Sequence, residues 1–236
     1  GSAETIDYRP QVLFNTTNIS SVVISPTGVL STDADTAVNF NSVAYDHLSM
    51  VQAPPMTWAL SANSPAGSIG SNGLFTPSGA GNVSITSCFG LVCGVQTIVV
   101  TPGAPTELLV APLTATITAD ETLNIVASMV DQHGNAVPGE TITFTPSNGT
   151  MSGSTFLPFA AGSHTVTVVH PSSGAQVVVD VTVLAGVPSY FVLGGCEGTV
   201  PAGVWCDITA DLYDQFGNPW TPLTQGTSRG QPPTVT

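Results

Sequence analysis

The chain has 236 residues, of which 15 are acidic and 2 basic (Arg9 and Arg229, with no Lys), giving a formal charge of −13. No basic patch can be assembled from that inventory, which excludes nucleic acid and anionic membrane surfaces as partners. Charged residues make up only 7% and hydrophobic ones 42%, so this is no solvated acidic tail. An abundance of Thr, Ser, Val, Gly and Pro is instead the composition of β-strands joined by tight turns.

Residues 1–19 read as a linker or the end of an upstream domain, with Gly1-Ser2 as a cloning remnant of an excised fragment. Beyond them the chain repeats. Asp131-Gln132-His133-Gly134-Asn135 and Asp214-Gln215-Phe216-Gly217-Asn218 are near copies 83 positions apart. The linkers Gly103-Ala104-Pro105-Thr106 and Gly186-Val187-Pro188-Ser189 are offset by the same 83. A period of that size signals tandem copies of one small domain. It predicts domains at 20–102 and 103–184 and an incomplete third at 185–236.

Aligned on Asp46, Asp131 and Asp214, the copies share an apolar alternation. Reading back by twos gives Ala44, Ser42, Phe40 and Val38, then Met129, Ala127, Ile125 and Leu123, then Leu212, Ala210, Ile208 and Cys206. The opposite face carries Asn39, Asn124, Asp207 and Asp211. A period of two with one apolar face is a half-buried strand. Gly134 and Gly217 are expected to supply positive φ in the turn that follows, and Pro138 and Pro219 to stiffen the exit. Trp58 and Leu60 match Ile142 and Phe144 in the next strand, Asn72-Gly73 signals a hairpin, and the whole copies are expected to end in Val83–Ser87 and Val166–Val168. No segment has a helical period with caps. About seven short strands per copy predict an all-β chain of tandem two-sheet sandwiches of immunoglobulin-like type.

Four Cys fall in two close pairs without further metal-ligand spacing. They are expected to form the disulfides Cys88–Cys93 and Cys196–Cys206 in an oxidising, extracellular compartment. The sequons at Asn15, Asn18, Asn82 and Asn148 point to the same compartment. No signal peptide and no apolar run near 18 residues is present in these 236 residues.

Residues Thr57-Trp58-Ala59-Leu60, Ile69-Gly70, Gly73-Leu74-Phe75-Thr76-Pro77 and Val83-Ser84-Ile85-Thr86 resemble the bacterial Ig-like domain, group 2. Val130 to Gly139 leading into Thr141-Ile142-Thr143-Phe144 resembles the group 1, invasin-like Ig repeat, and the third copy repeats that opening. The resemblance implies cell-surface adhesins, surface-layer proteins or accessory modules of secreted enzymes.

Candidate sites are few. Asp33, Asp35 and Asp46, with Asp120, Glu121 and Asp131, offer oxygen ligands for Ca²⁺ at domain junctions, or are solvated loop carboxylates. His164 and His170 share a strand face and read either as a metal pair or as hydrogen-bonded structural residues. Trp205, Tyr213 and Trp220 could stack on sugar rings or pack on a neighbouring strand or domain. No nucleophile elbow, paired-acid motif or phosphate loop appears. The sequence therefore predicts a non-catalytic stalk or adhesion region without cofactor, acting on a surface protein, a glycan or further copies of itself. The alternative is a polysaccharide-binding or spacer module of a secreted hydrolase.

Overall fold

The computed structural model describes residues 19–52, 54–65, 67–195, 198–199, 201, 203–220 and 228–229. They form two compact units, one reaching to Ala104 and including Asp131–Asn135, the other comprising Pro105–Val130 and Ala136 onward.

The first repeat runs β1 (Ile19–Ser25), β2 (Leu30–Asp33), β3 (Val38–Asn39), β4 (Asn41–Asp46), β5 (Val51–Gln52), β6 (Thr57–Leu60), β7 (Gly67–Ile69), β8 (Leu74–Pro77), β9 (Gly81–Phe89) and β10 (Val92–Thr101). The second follows as β11 (Pro105–Ala111), β12 (Thr114–Thr118), β13 (Leu123–Asn124), β14 (Val126–Asp131), β15 (Ala136–Val137), β16 (Thr143–Pro146), β17 (Thr150–Ser152), β18 (Thr155–Leu157), β19 (Gly162–His170) and β20 (Ala175–Leu184). Sheets β1-β4-β5, β2-β10-β9-β6 and β3-β8-β7 recur, element for element, as β11-β14-β15, β12-β20-β19-β16 and β13-β18-β17. The third repeat contributes β21 (Pro188–Gly194), β22 (Asp207–Asp214) and β23 (Pro219–Trp220), with β24 (Ser228–Arg229) paired to β22.

The alternation seen in the sequence places the core. β3 and β4 are one strand interrupted at Phe40, whose N–H still donates to Gly73 O at 2.9 Å; Ile125 donates to Ser154 O at 2.9 Å in the same place of the second repeat. Phe40 and Ile125 are fully buried, as are Phe75 and Phe156 on the facing hairpins and Val83, Ile85, Val166 and Val168 on the opposite sheet. In the third repeat the matching Ile208 is 48% exposed, because no opposing sheet covers it among the described residues.

Two details differ from the sequence reading, and a third goes beyond it. The copies do not end in Val83–Ser87 or Val166–Val168: β9 and β19 turn back into β10 and β20. Those last strands carry their apolar residues in register with the previous strand, so the alternation alone does not count them. Ile142 packs on the core just ahead of β16 rather than within it. Finally, the inward position that holds Ser87 in one repeat holds His170 in the next, and both are completely buried. Ser87 Oγ donates to Ser42 Oγ at 2.8 Å, whereas His170 lies between Ser173 Oγ (2.7 Å) and Glu140 Oε2 (2.8 Å).

Cys88 and Cys93 are bonded across the β9–β10 hairpin, directly opposite each other in its register. Cys206 is disulfide-bonded, and its expected partner Cys196 lies outside the described residues. Closing so short a loop stabilises by about 2 kcal/mol in the chain-entropy model. Urea denaturation of the chain carrying Cys88→Ala and Cys93→Ala should show the first repeat weakened by about that amount, with the second unaffected.

Candidate functional site

Strands β4, β14 and β22 each end in an Asp, and each Asp opens and organises a five-residue loop. Asp131 N donates to Asn135 O at 3.0 Å, and Gly134 N returns to Asp131 O at 3.0 Å. Its Oδ1 accepts from His133 N (2.9 Å) and Asn135 N (2.8 Å). Asp214 Oδ1 takes Phe216 N and Asn218 N at 2.9 Å each, and Asp46 Oδ1 takes Leu48 N and Met50 N at 2.9 Å each. The loop needs a left-handed residue in fourth place, supplied by Gly134 (φ 82°), Gly217 (φ 85°) and Ser49 (φ 61°).

The second carboxylate oxygen does the longer-range work. In the second unit, Asp214 Oδ2 accepts from the linker Gly186 N and from Asn218 Nδ2, both at 2.8 Å. The Asn218 amide then bonds the backbone of the second repeat twice: Nδ2 donates to Phe159 O (3.0 Å), and Oδ1 accepts from Ala161 N (2.8 Å). Asp120 Oδ2 accepts from the next linker residue, Val187 N, at 3.2 Å. The first unit contains the same set. Asp131 Oδ2 takes Gly103 N and Asn135 Nδ2 at 2.8 Å each; Asn135 bonds Ser78 O (3.0 Å) and Ala80 N (2.9 Å); Asp35 Oδ2 takes Ala104 N (3.1 Å). Asp35 Oδ1 also accepts from Gln132 Nε2 at 2.7 Å and lies 3.3 Å from His133 Nε2. Gly at the first linker position lets these carboxylates approach, since a Cβ on Gly103 would stand 2.2 Å from Asp35 Oδ2, and one on Gly186 2.9 Å from Asp120 Oδ1, and each Asp would have to shift.

Asp131 and Asp214 are buried. A buried carboxylate is tolerable only when its lone pairs are occupied, and charge-assisted N–H bonds are the strong kind. Burial raises the Asp131 pKa, but the Asn135 amide and the Gly103, Asn135 and His133 N–H groups outweigh it and bring the value down to about 2. Asp214 is lowered against the same opposing burial. Asp35 is lowered first by Gln132 and then by Ala104 N–H, and Asp120 by Thr118 and then Val187 N–H.

The carboxylates expected to meet around a cation are thus placed around amide donors. Asp35 and Asp131 flank one linker, while Asp33 accepts from Asp35 N, Glu121 accepts from Thr118 N, and Asp46 stays within its own loop with Gln52. Among the described residues no three His, Cys, Asp or Glu side chains form a metal-holding group. His164 Nε2 lies 2.7 Å from Ala160 O, and His170 is engaged as described above, so the two do not share a ligand. Trp205 is 54% exposed, Tyr213 stacks on Tyr190 at 5.5 Å, and Trp220 lines a groove of about 450 Å³ in the second unit with Asp120, Glu121 and Val187. Asn82 and Asn148 are exposed, whereas Asn15 and Asn18 lie outside the described residues.

Sequence reasoning missed the part played by Asn135 and Asn218. The available signal was the offset shared by linkers and loops: two features that recur together at one spacing are candidates for touching.

Two outcomes follow for this site. An unfolded Asp titrates near 3.9, so the Asp131 contribution is fully present above that pH and disappears as pH falls through about 2. The urea midpoint of the native chain should therefore decline over this window, and Asp131→Asn should lack that component. In the second unit, Asn218→Ala should cost roughly 2 kcal/mol by leaving Ala161 N and Phe159 O without partners. Asn218→Asp should cost more, since it sets a second carboxylate against Asp214. Hydrogen exchange at Ala161 and Gly186 reads both variants.

No family model matches the sequence, and no curated protein matches it. Solved structures do. FdeC, an Escherichia coli adhesin, aligns with a TM-score of 0.50 and 16% identity over 84% of this chain and 74% of its own. Invasin, an integrin-binding bacterial protein, gives 0.43 and 16% over 86% of this chain and 48% of its own. Domains 4–9 of the surface-layer protein SbsC give 0.32 and 15% over 86% of this chain and 38% of its own. The chain thus spans about half or less of the latter two structures. It has the all-β, immunoglobulin-like sandwich fold found in the FdeC adhesin.

Proposed function

We propose that this chain is the non-catalytic stalk or adhesion repeat region of an extracellular cell-surface protein, of adhesin or surface-layer type, and that the Asp-x-x-Gly-Asn loops restrain each repeat against the one before it. The observation that carries this reading is the duplicated bond set. Two loops 83 residues apart hold their linkers and grip the backbone of the preceding repeat with the same atoms. A linker tied to a buried carboxylate by a charge-assisted bond, beside an Asn amide bonded twice to backbone, is more restrained than a solvated one. The disulfide at Cys88–Cys93 suits an oxidising exterior. The E. coli structure of the same fold is that of an adhesin, which favours a surface protein, a glycan or further copies of the chain as partner.

Small-angle scattering tests the restraint. The chain carrying Asn135→Ala and Asn218→Ala should give a broader, more flexible size distribution than the native chain at unchanged secondary structure. Identical scattering would remove the stiffening role. The second reading, a polysaccharide-binding module, draws on the exposure of Trp205 and Trp220. A saturable shift of Trp fluorescence with soluble polysaccharide, abolished by Trp220→Phe, would favour it over the stalk.

A further inference from the structure

Two Asn-Gly pairs occur in matching contexts, Ser71-Asn72-Gly73-Leu74 and Ser147-Asn148-Gly149-Thr150. Their surroundings differ in the respect that decides the chemistry of such a pair. Gly73 is buried and tied on both sides: its N–H donates to Gly70 O at 2.9 Å, and its carbonyl accepts from Phe40 N at 2.9 Å. Asn72 turns away from it, its Oδ1 accepting from Leu74 N at 3.2 Å. Asn148 is exposed, and its side chain folds onto its own C-terminal neighbour, with Gly149 N 2.7 Å from Asn148 Oδ1. The carboxamide carbon is one bond beyond that oxygen, so nitrogen and carbon stand near attack distance. No side chain on Gly149 shields the approach. Its φ is 93°, and a Cβ there would stand 2.6 Å from the Phe156 ring, so only Gly fits.

We infer that Asn148 is a self-modification site, at which the chain converts to aspartyl and isoaspartyl forms without an enzyme. Gly149 N, on losing its proton, attacks Asn148 Cγ; the new C–N bond closes a five-membered succinimide, and the Cγ–NH₂ bond breaks to release ammonia. Water then opens the ring at either carbonyl, leaving a carboxylate in place of the amide. No oxidant or other reactant is needed. Opening toward the isoaspartyl product adds a carbon to the backbone between β16 and β17, against Phe156 at the core edge. The same change removes the Asn148 sequon as a glycan acceptor, so a glycan and the conversion exclude each other at this residue.

The experiment is timed incubation of the unglycosylated full chain at mildly alkaline pH, followed by proteolysis and peptide mass analysis. Gain of one dalton is expected in the peptide holding Asn148, several-fold faster than in the peptide holding Asn72, with methyl transfer by an isoaspartyl methyltransferase marking the iso form. Asn148→Gln should abolish the gain without affecting the fold. Equal rates at the two pairs, faster conversion at Asn72, or no gain at Asn148 would each overturn the inference.

Discussion

The architecture depends on a buried carboxylate held by N–H groups. Asp131 and Asp214 are out of water, with no basic residue facing them among the described residues, and would be untenable as charges without full occupation of their oxygens. Each meets that demand with backbone N–H groups from its own loop and from the linker, plus one Asn amide. With only two Arg and no Lys in 236 residues, cationic side chains are scarce partners for such carboxylates. Backbone donors are always available, and their use locks the local conformation in a way a surface ion pair does not.

Around that interaction the remaining features are mutually consistent. Strand alternation delivers the Asp to the end of its strand. The left-handed Gly closes the loop, the Asn side chain leaves it, and the Gly of the linker makes room for a second carboxylate. The first repeat shows which part is local and which is not. Asp46 builds the same loop, with Ser49 bearing the positive φ, but Met50 stands where Asn135 and Asn218 stand and has no amide to extend. The loop therefore forms without the grip.

Much of the fold was legible from residue order. The period-two faces of Val38–Ala44 and Leu123–Met129, the Asn72-Gly73 hairpin and the Cys88–Cys93 bridge follow from local chemistry that a sequence carries openly. The final strand of each repeat was not separated from its predecessor, because the buried positions change parity across the hairpin, from Val83, Ile85 and Ser87 to Gly94, Ile98 and Val100 in the first repeat, so a single period-two count stops at the turn. The candidate carboxylates are legible in the sequence, but their amide partners are not. Asp35 and Asp131 look like cation ligands when only residue types are visible, and like N–H acceptors once Gly103 and Ala104 are seen between them. Residue types cannot reveal that, since the partners are main-chain groups common to every residue. Asn218 was overlooked for a similar reason: as a turn residue it already had a sufficient local explanation.

That reliance on main chain reaches beyond stability. The recipient side of each grip offers only a carbonyl and an amide, Ser78 O with Ala80 N in one case and Phe159 O with Ala161 N in the other. The carbonyl comes from Ser in one pair and Phe in the other, the amide from Ala in both, and the geometry agrees. Side-chain matching enters the connection through the carboxylates that hold the linker, Asp35 in one case and Asp120 in the other. The Asn contacts themselves, being to main chain, do not depend on which side chain stands at the carbonyl position.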